Sequence, residues 1–113
     1  MEKRLRQSGF VAKRVRDEVP QRPWFAVTPV VYTLGRARLE VFIYANEIDL
    51  GRDMASVDTV TAVPPGTISP WEVSPVLIRS MNLAAVLLTD NHRQAERLTL
   101  ALTAGAPQPN PGR

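Results

Sequence analysis

A short β-hairpin pattern running straight into an amphipathic helix occurs twice in this chain, and no other feature narrows its possible folds as much. The first copy spans Val30 to Val57, VVYTLGRARLEVFIYANEIDLGRDMASV, and the second Val76 to Leu102, VLIRSMNLAAVLLTDNHRQAERLTLAL. In each, an apolar strand ends at a polar residue suited to capping, Asn46 or Asp90, and a 3.6-residue periodicity then begins. Two ββα units predict an α+β fold: a mostly antiparallel sheet of about five strands with the helices packed on one face.

The strands can be placed more closely. Val30–Leu34 and Leu39–Ala45 form the clearer hairpin, joined through Gly35 and Arg36. Leu39, Val41 and Ile43 share one side of the second strand, and Glu40, Phe42 and Tyr44 share the other. Both sides carry large apolar groups, which predicts a central strand. Trp71–Ile78 reads as a strand interrupted by Pro75, which favours an edge or a bulge there, followed by a turn at Ser80–Asn82 and a buried strand, Leu83–Thr89. Phe10–Val15 reads as an exposed edge strand whose Lys13 and Arg14 discourage pairing with another chain.

Three helices are expected. Glu2–Ser8 has Leu5 as its anchor and Gly9 as its terminator. Glu47–Val57 follows Asn46, with Leu50, Met54 and Val57 as its inward stripe and Gly51 unexplained by propensity. The last helix follows Asp90, carries Ala95, Leu98, Ala101 and Leu102 inward, and ends at Gly105 before Pro107. Residues 1–105 thus read as one domain and 106–113 as a disordered, proline-rich tail. The loop Asp58–Pro70 is longer than most connections, a length that loops with a function often have.

Composition removes several function classes. With no cysteine there is no thiol nucleophile, disulfide framework or thiolate metal site. The longest strongly apolar run, Leu83–Leu88, falls far short of a membrane span. Neither a GxGxxG nor a GxxxxGK[ST] phosphate loop occurs. His92 has no nucleophile beside it in the sequence, and Glu47, Asp49 and Asp53 read as a solvated helix face. No catalytic residue, metal ligand set or cofactor is therefore expected, and an enzyme is the third-ranked reading.

What remains is binding. Trp24, Phe42, Tyr44 and Trp71 fall on or beside strands, and with helices on one face these rings line the other as a ligand or partner surface. A second copy, a protein or a small apolar ligand is the expected partner, unless the Trp24–Phe25 segment folds over that face. Arg36 and Arg38 at the hairpin tip are candidates for contact with an anion. Six of the fourteen basic residues lie within the first sixteen positions, Lys3 to Arg16, in a chain of net charge +3. They lack interleaved aromatics and read as solvated edges, so nucleic acid is not the expected partner. A cytoplasmic nucleic-acid-associated protein using this arm is the alternative reading.

The segments LRQSGFVAKRV, RARLEVFIYANEIDLGRDMASVD and PWEVSPVLIRSMNLAAVLLTDNHRQAERLTLAL also resemble a family of small bacterial α+β domains of unknown function. The resemblance covers residues 4 to 102 and rests on structural rather than catalytic motifs. It implies a non-enzymatic binding or structural domain, commonly exported or lipid-anchored at the cell envelope. The N-terminal MEKRLRQSGF has no apolar stretch of a signal peptide. An extracytoplasmic location is thus expected if an export signal precedes this chain, and a cytoplasmic one otherwise.

Overall fold

The computed structural model describes residues 2–7, 9–17, 20, 22–71 and 73–103. Five strands and three helices follow one another as α1 (Glu2–Gln7), β1 (Ala12–Val15), β2 (Val30–Leu34), β3 (Ala37–Ile43), α2 (Glu47–Met54), β4 (Pro75–Ser80), β5 (Leu83–Leu88) and α3 (His92–Thr103). The strands form one antiparallel sheet in the order β1-β2-β3-β5-β4. Both hairpins are closed by two-residue turns: Leu34 pairs with Ala37 across Gly35-Arg36, and Ser80 with Leu83 across Met81-Asn82. Gly35 sits at φ +64, where a side chain would be strained. The second strands of the two units, β3 and β5, pair with each other at the centre, in register from Arg38–Leu88 to Ile43–Leu83.

The helices do not share a face, contrary to the expectation from the repeat. Leu98 and Leu102 of α3 and Leu5 of α1 pack with Tyr32, Leu34, Leu39, Val41, Ile78 and Leu87 on one side. Leu50 and Met54 of α2 pack with Phe42, Tyr44, Ala84 and Val86 on the other. The cause is in the central strands. Leu39 and Val41 point one way in β3 while Phe42 points the other; in β5, Leu83, Ala85 and Leu87 oppose Ala84 and Val86. A strand apolar on both sides requires cover on both sides. The two units therefore send their helices to opposite faces.

Local chemistry explains most element ends. The Asn46 side chain accepts from the backbone N–H of Asp49 at 2.8 Å, capping α2 as expected. At α3 the expected cap is displaced by one residue: Asn91, not Asp90, accepts from the N–H of Gln94 at 3.1 Å. Gly9, at φ +86, ends α1, with Phe10 N–H bonded back to the Leu5 carbonyl at 2.9 Å. Trp71 lies in the loop before β4 rather than within it, because the strand starts at Pro75, where a missing N–H costs no ladder bond. Gly105, Pro107 and the expected disordered tail lie outside the described residues. Among those described, no helix is long and apolar enough to cross a membrane.

The α2 face is closed by more than α2. Phe25 stacks on Phe42 with ring centroids 4.1 Å apart. Trp24 meets Trp71 edge-on at 6.4 Å. Asp58 and Val63 pinch the start of the long loop through an N–H to carbonyl bond of 2.9 Å, which tucks Ala62 and Val63 under Trp71 and Met54. The Trp71 indole N–H donates to the Thr61 carbonyl at 2.9 Å. This cover extends only part of the way along the sheet.

Candidate anion-binding site

Antiparallel register lays out the α2 face in rows. Phe42 and Ala84 form one row, beneath α2 and Phe25. Val31, Glu40, Val86 and Leu77 form the next, and Thr33, Arg38, Leu88 and Pro75 the one nearest the Gly35-Arg36 turn. The sequence offers no apolar side chain at Arg38 or Thr33 to draw a covering segment, and this last row is left partly open to solvent.

Glu40 lies at the boundary between the covered and open parts, and its side chain is fully buried. A carboxylate taken out of water must be paired and hydrogen-bonded to persist. Arg22 meets it as a fork, Nε to Oε1 at 2.8 Å and Nη2 to Oε2 at 2.7 Å. Arg38, two residues along the same side of β3, adds Nε to Oε2 at 3.1 Å. The Arg22 guanidinium also lies 4.6 Å from the centre of the Trp71 ring, an aromatic support for its charge. Two guanidinium groups thus share one carboxylate.

Arg36 at the turn adds a third. Together with Pro20, Pro70, Trp71, Val73 and Leu88, these three arginines line a groove of about 430 Å³. Its lining mixes guanidinium groups with apolar side chains. Arg36 is exposed at the turn, so the groove presents a guanidinium group to solvent. Such an arrangement can take a carboxylate or phosphate through paired N–H donors, with an apolar portion resting on the neighbouring Val73 and Leu88.

The structure therefore joins two features that the sequence presented separately, the anion candidates Arg36 and Arg38 and the ring Trp71. It does not bring Phe42 and Tyr44 to that surface. Phe42 is wholly buried, Tyr44 and Trp71 nearly so, and Trp24 partly. The expected exposed aromatic face is a core, because α2 takes that side of the sheet and the Trp24–Phe25 segment folds over what remains. The Trp24 indole N–H is itself buried and meets no acceptor. Tyr44 O–H donates to Asp53 Oδ2 at 2.6 Å, and the same oxygen accepts from the Ala26 N–H at 2.6 Å. Burial, then the hydrogen bond to Asp53 and the charge of that carboxylate, push the Tyr44 hydroxyl well above its ordinary range. It stays protonated at any physiological pH and acts as a tie between strand end, helix and covering segment.

Arg22 and Glu40 were not singled out from the sequence. The signal for Glu40 was present: a lone acid inside the apolar run Leu39–Ile43, on the Phe42 side of a central strand. A buried acid demands a cation, and Arg38 at i−2 shares its side. Arg22 lies eighteen residues away in a proline-bounded loop and carries no local signal.

The other candidates are engaged elsewhere or isolated. Asp49 bonds to Asn46 and lies 3.7 Å from Arg52, and Asp53 is held by Tyr44 and Ala26. His92 is exposed at the start of α3. Among the described residues no three His, Asp or Glu side chains converge. No family model, curated protein or solved structure matches the chain.

Proposed function

We propose that this chain is a non-enzymatic binding domain whose groove at the Gly35-Arg36 end of the α2 face holds the anionic group of a ligand. The observation that carries this reading is the convergence of the guanidinium groups of Arg22, Arg36 and Arg38 on one groove, with Arg36 exposed to solvent and Glu40 sealed from water against the other two. Glu40 also serves as an internal reference for the chemistry. The fork with which Arg22 grips it is the geometry by which arginine recognises a carboxylate or phosphate. Trp71, Val73 and Leu88 offer contact to whatever apolar part follows the charged group. Association with the bacterial envelope rests on the family resemblance alone, and fractionation of producing cells decides it.

Trp71 lies against Arg22, so an anion that draws on that guanidinium alters the surroundings of the indole. Titration with inorganic pyrophosphate is expected to change the tryptophan fluorescence saturably. Arg36→Ala, an exposed position in a turn, weakens that response at least fivefold without altering the melting temperature. A flat titration in the wild-type protein, or an unchanged one in the variant, overturns the reading.

A further inference from the structure

The groove continues past the hairpin tip. Arg36, Val73 and Leu88 also line a second hollow of about 460 Å³ that runs beside Gly35 and Asp90. Leu34, Gly35, Asn91 and Gln94 connect that hollow to a third, of about 540 Å³, bounded by Phe10, Arg93 and Arg97 on the α3 side. In the opposite direction the register sets Thr33 beside Arg38 and exposed Lys13 beside Thr33, all on the α2 side of the sheet. Two strand spacings place Lys13 about 10 Å across the sheet from Arg38.

We infer that this path, from Lys13 over Arg38 and Arg36 and around the hairpin to Arg93, seats a single-stranded nucleic acid. The inference rests on the reading of the groove as an anion site and names the class of ligand that fills it. Positive side chains recur along the path, while Glu40 lies sealed beneath two guanidinium groups and, among the described lining residues, Asp90 is the carboxylate along the way. Repeated cations with little directional chemistry between them suit a repeating phosphate backbone.

The shape excludes two competitors. The path bends around a two-residue turn from one side of the sheet to the other, a course that a duplex with a persistence length of about 50 nm does not follow. It also runs over side chains rather than along a strand edge, and so offers no row of main-chain groups by which an extended peptide adds to a sheet. Flat guanidinium groups rest on aromatic rings beside the path on each side of the hairpin tip, Arg22 on Trp71 at 4.6 Å and Arg97 on Phe10 at 4.8 Å. Unpaired bases stack on such planes. The sequence concentrates its positive charge in the Lys3–Arg16 arm. Of the arm's described basic side chains the path takes Lys13, and its other cations come from distant segments.

Fluorescence anisotropy of a labelled oligothymidylate of about twelve residues, with the whole chain at about 25 mM salt, tests this. Saturable binding is expected, with log affinity falling by about 0.7 per phosphate contact as log salt rises. Lys13→Glu combined with Arg36→Glu, both exposed positions, lowers affinity at least tenfold and makes the salt slope shallower by about 1.4. Arg6→Glu with Arg16→Glu, off the path, changes affinity less than threefold. Circular dichroism melts establish that both variants fold. No binding by the wild-type chain overturns the inference, as does equal loss in the two double variants, or equally tight binding of duplex or polyglutamate. If pyrophosphate still alters the tryptophan signal while the oligonucleotide does not bind, only the ligand class falls. If both fail, the groove reading falls with it.

Discussion

At the scale of single residues, the buried polar groups decide most. Glu40 is held by Arg22 and Arg38, and Asp53 by Tyr44 and Ala26; the first carboxylate ties the segment 22–26 to the sheet and the second ties it to α2. Tyr44 gives the sharper test, since its hydroxyl loses its proton less readily in the folded chain than in the unfolded one. Above about pH 10 the unfolded state releases that proton first, so stability falls as pH rises, by up to about 1.4 kcal/mol per pH unit. Below pH 10 the contribution is fully present. Tyr44→Phe loses the bond to Asp53, at a cost of about 1–2 kcal/mol near neutrality. It also escapes the alkaline loss. The gap between wild type and variant in denaturant melts therefore narrows between pH 9 and 11, and a gap that widens contradicts this assignment. None of this was visible in the sequence beyond the shared side of Glu40, Phe42 and Tyr44, because the partners Arg22, Ala26 and Asp53 come from elsewhere in the chain.

Elements were read more easily, for a physical reason. Turn glycines, helix caps and two-residue hairpins are set by neighbours in sequence, so β2, the Gly35-Arg36 turn, the α1 terminator and the Asn46 cap all stand where local chemistry puts them. The misplacements lie at ends governed by tertiary contacts. Strand β3 ends at Ile43 because Tyr44 turns away to Asp53, although its N–H still reaches the Asn82 carbonyl at 2.8 Å. Helix α2 stops at Met54, with Val57 buried in the loop that follows rather than on the helical stripe. Gly51 in α2 is not explained by helix propensity. Its nearest neighbour is the Arg79 guanidinium, 3.3 Å from where a Cβ would stand. That group is the tip of a flexible chain on an exposed residue and yields a few tenths of an ångström. Gly51→Ala is therefore expected to stabilise the protein by up to about 1 kcal/mol through helix propensity. Equilibrium urea unfolding measures it, and a destabilised variant shows that Arg79 is fixed in place.

For the whole molecule, the repeat foretold the five-stranded antiparallel sheet but not the distribution of its helices. Periodicity shows which residues of a strand share a side; it does not show which side a later helix will cover. Here both sides of β3 and β5 are apolar, and the helices divide between them. That division closes the aromatic face, moving the candidate site from Phe42 and Tyr44 to the uncovered row at the hairpin end. Arg36, Arg38 and Trp71 were legible individually, but their meeting in one groove with Arg22 depends on loops whose course the sequence does not encode locally.

The groove, rather than the aromatic core or the N-terminal arm, is the proposed binding surface. Heteronuclear NMR that resolves the arginine Nε–H and tryptophan indole signals during titration with pyrophosphate is then expected to show saturable shifts at Arg22, Arg36, Arg38 and Trp71, with the Phe42 and Ala84 amides unmoved. Shifts confined to Arg6, Arg14 and Arg16, or no shifts at all, would contradict it.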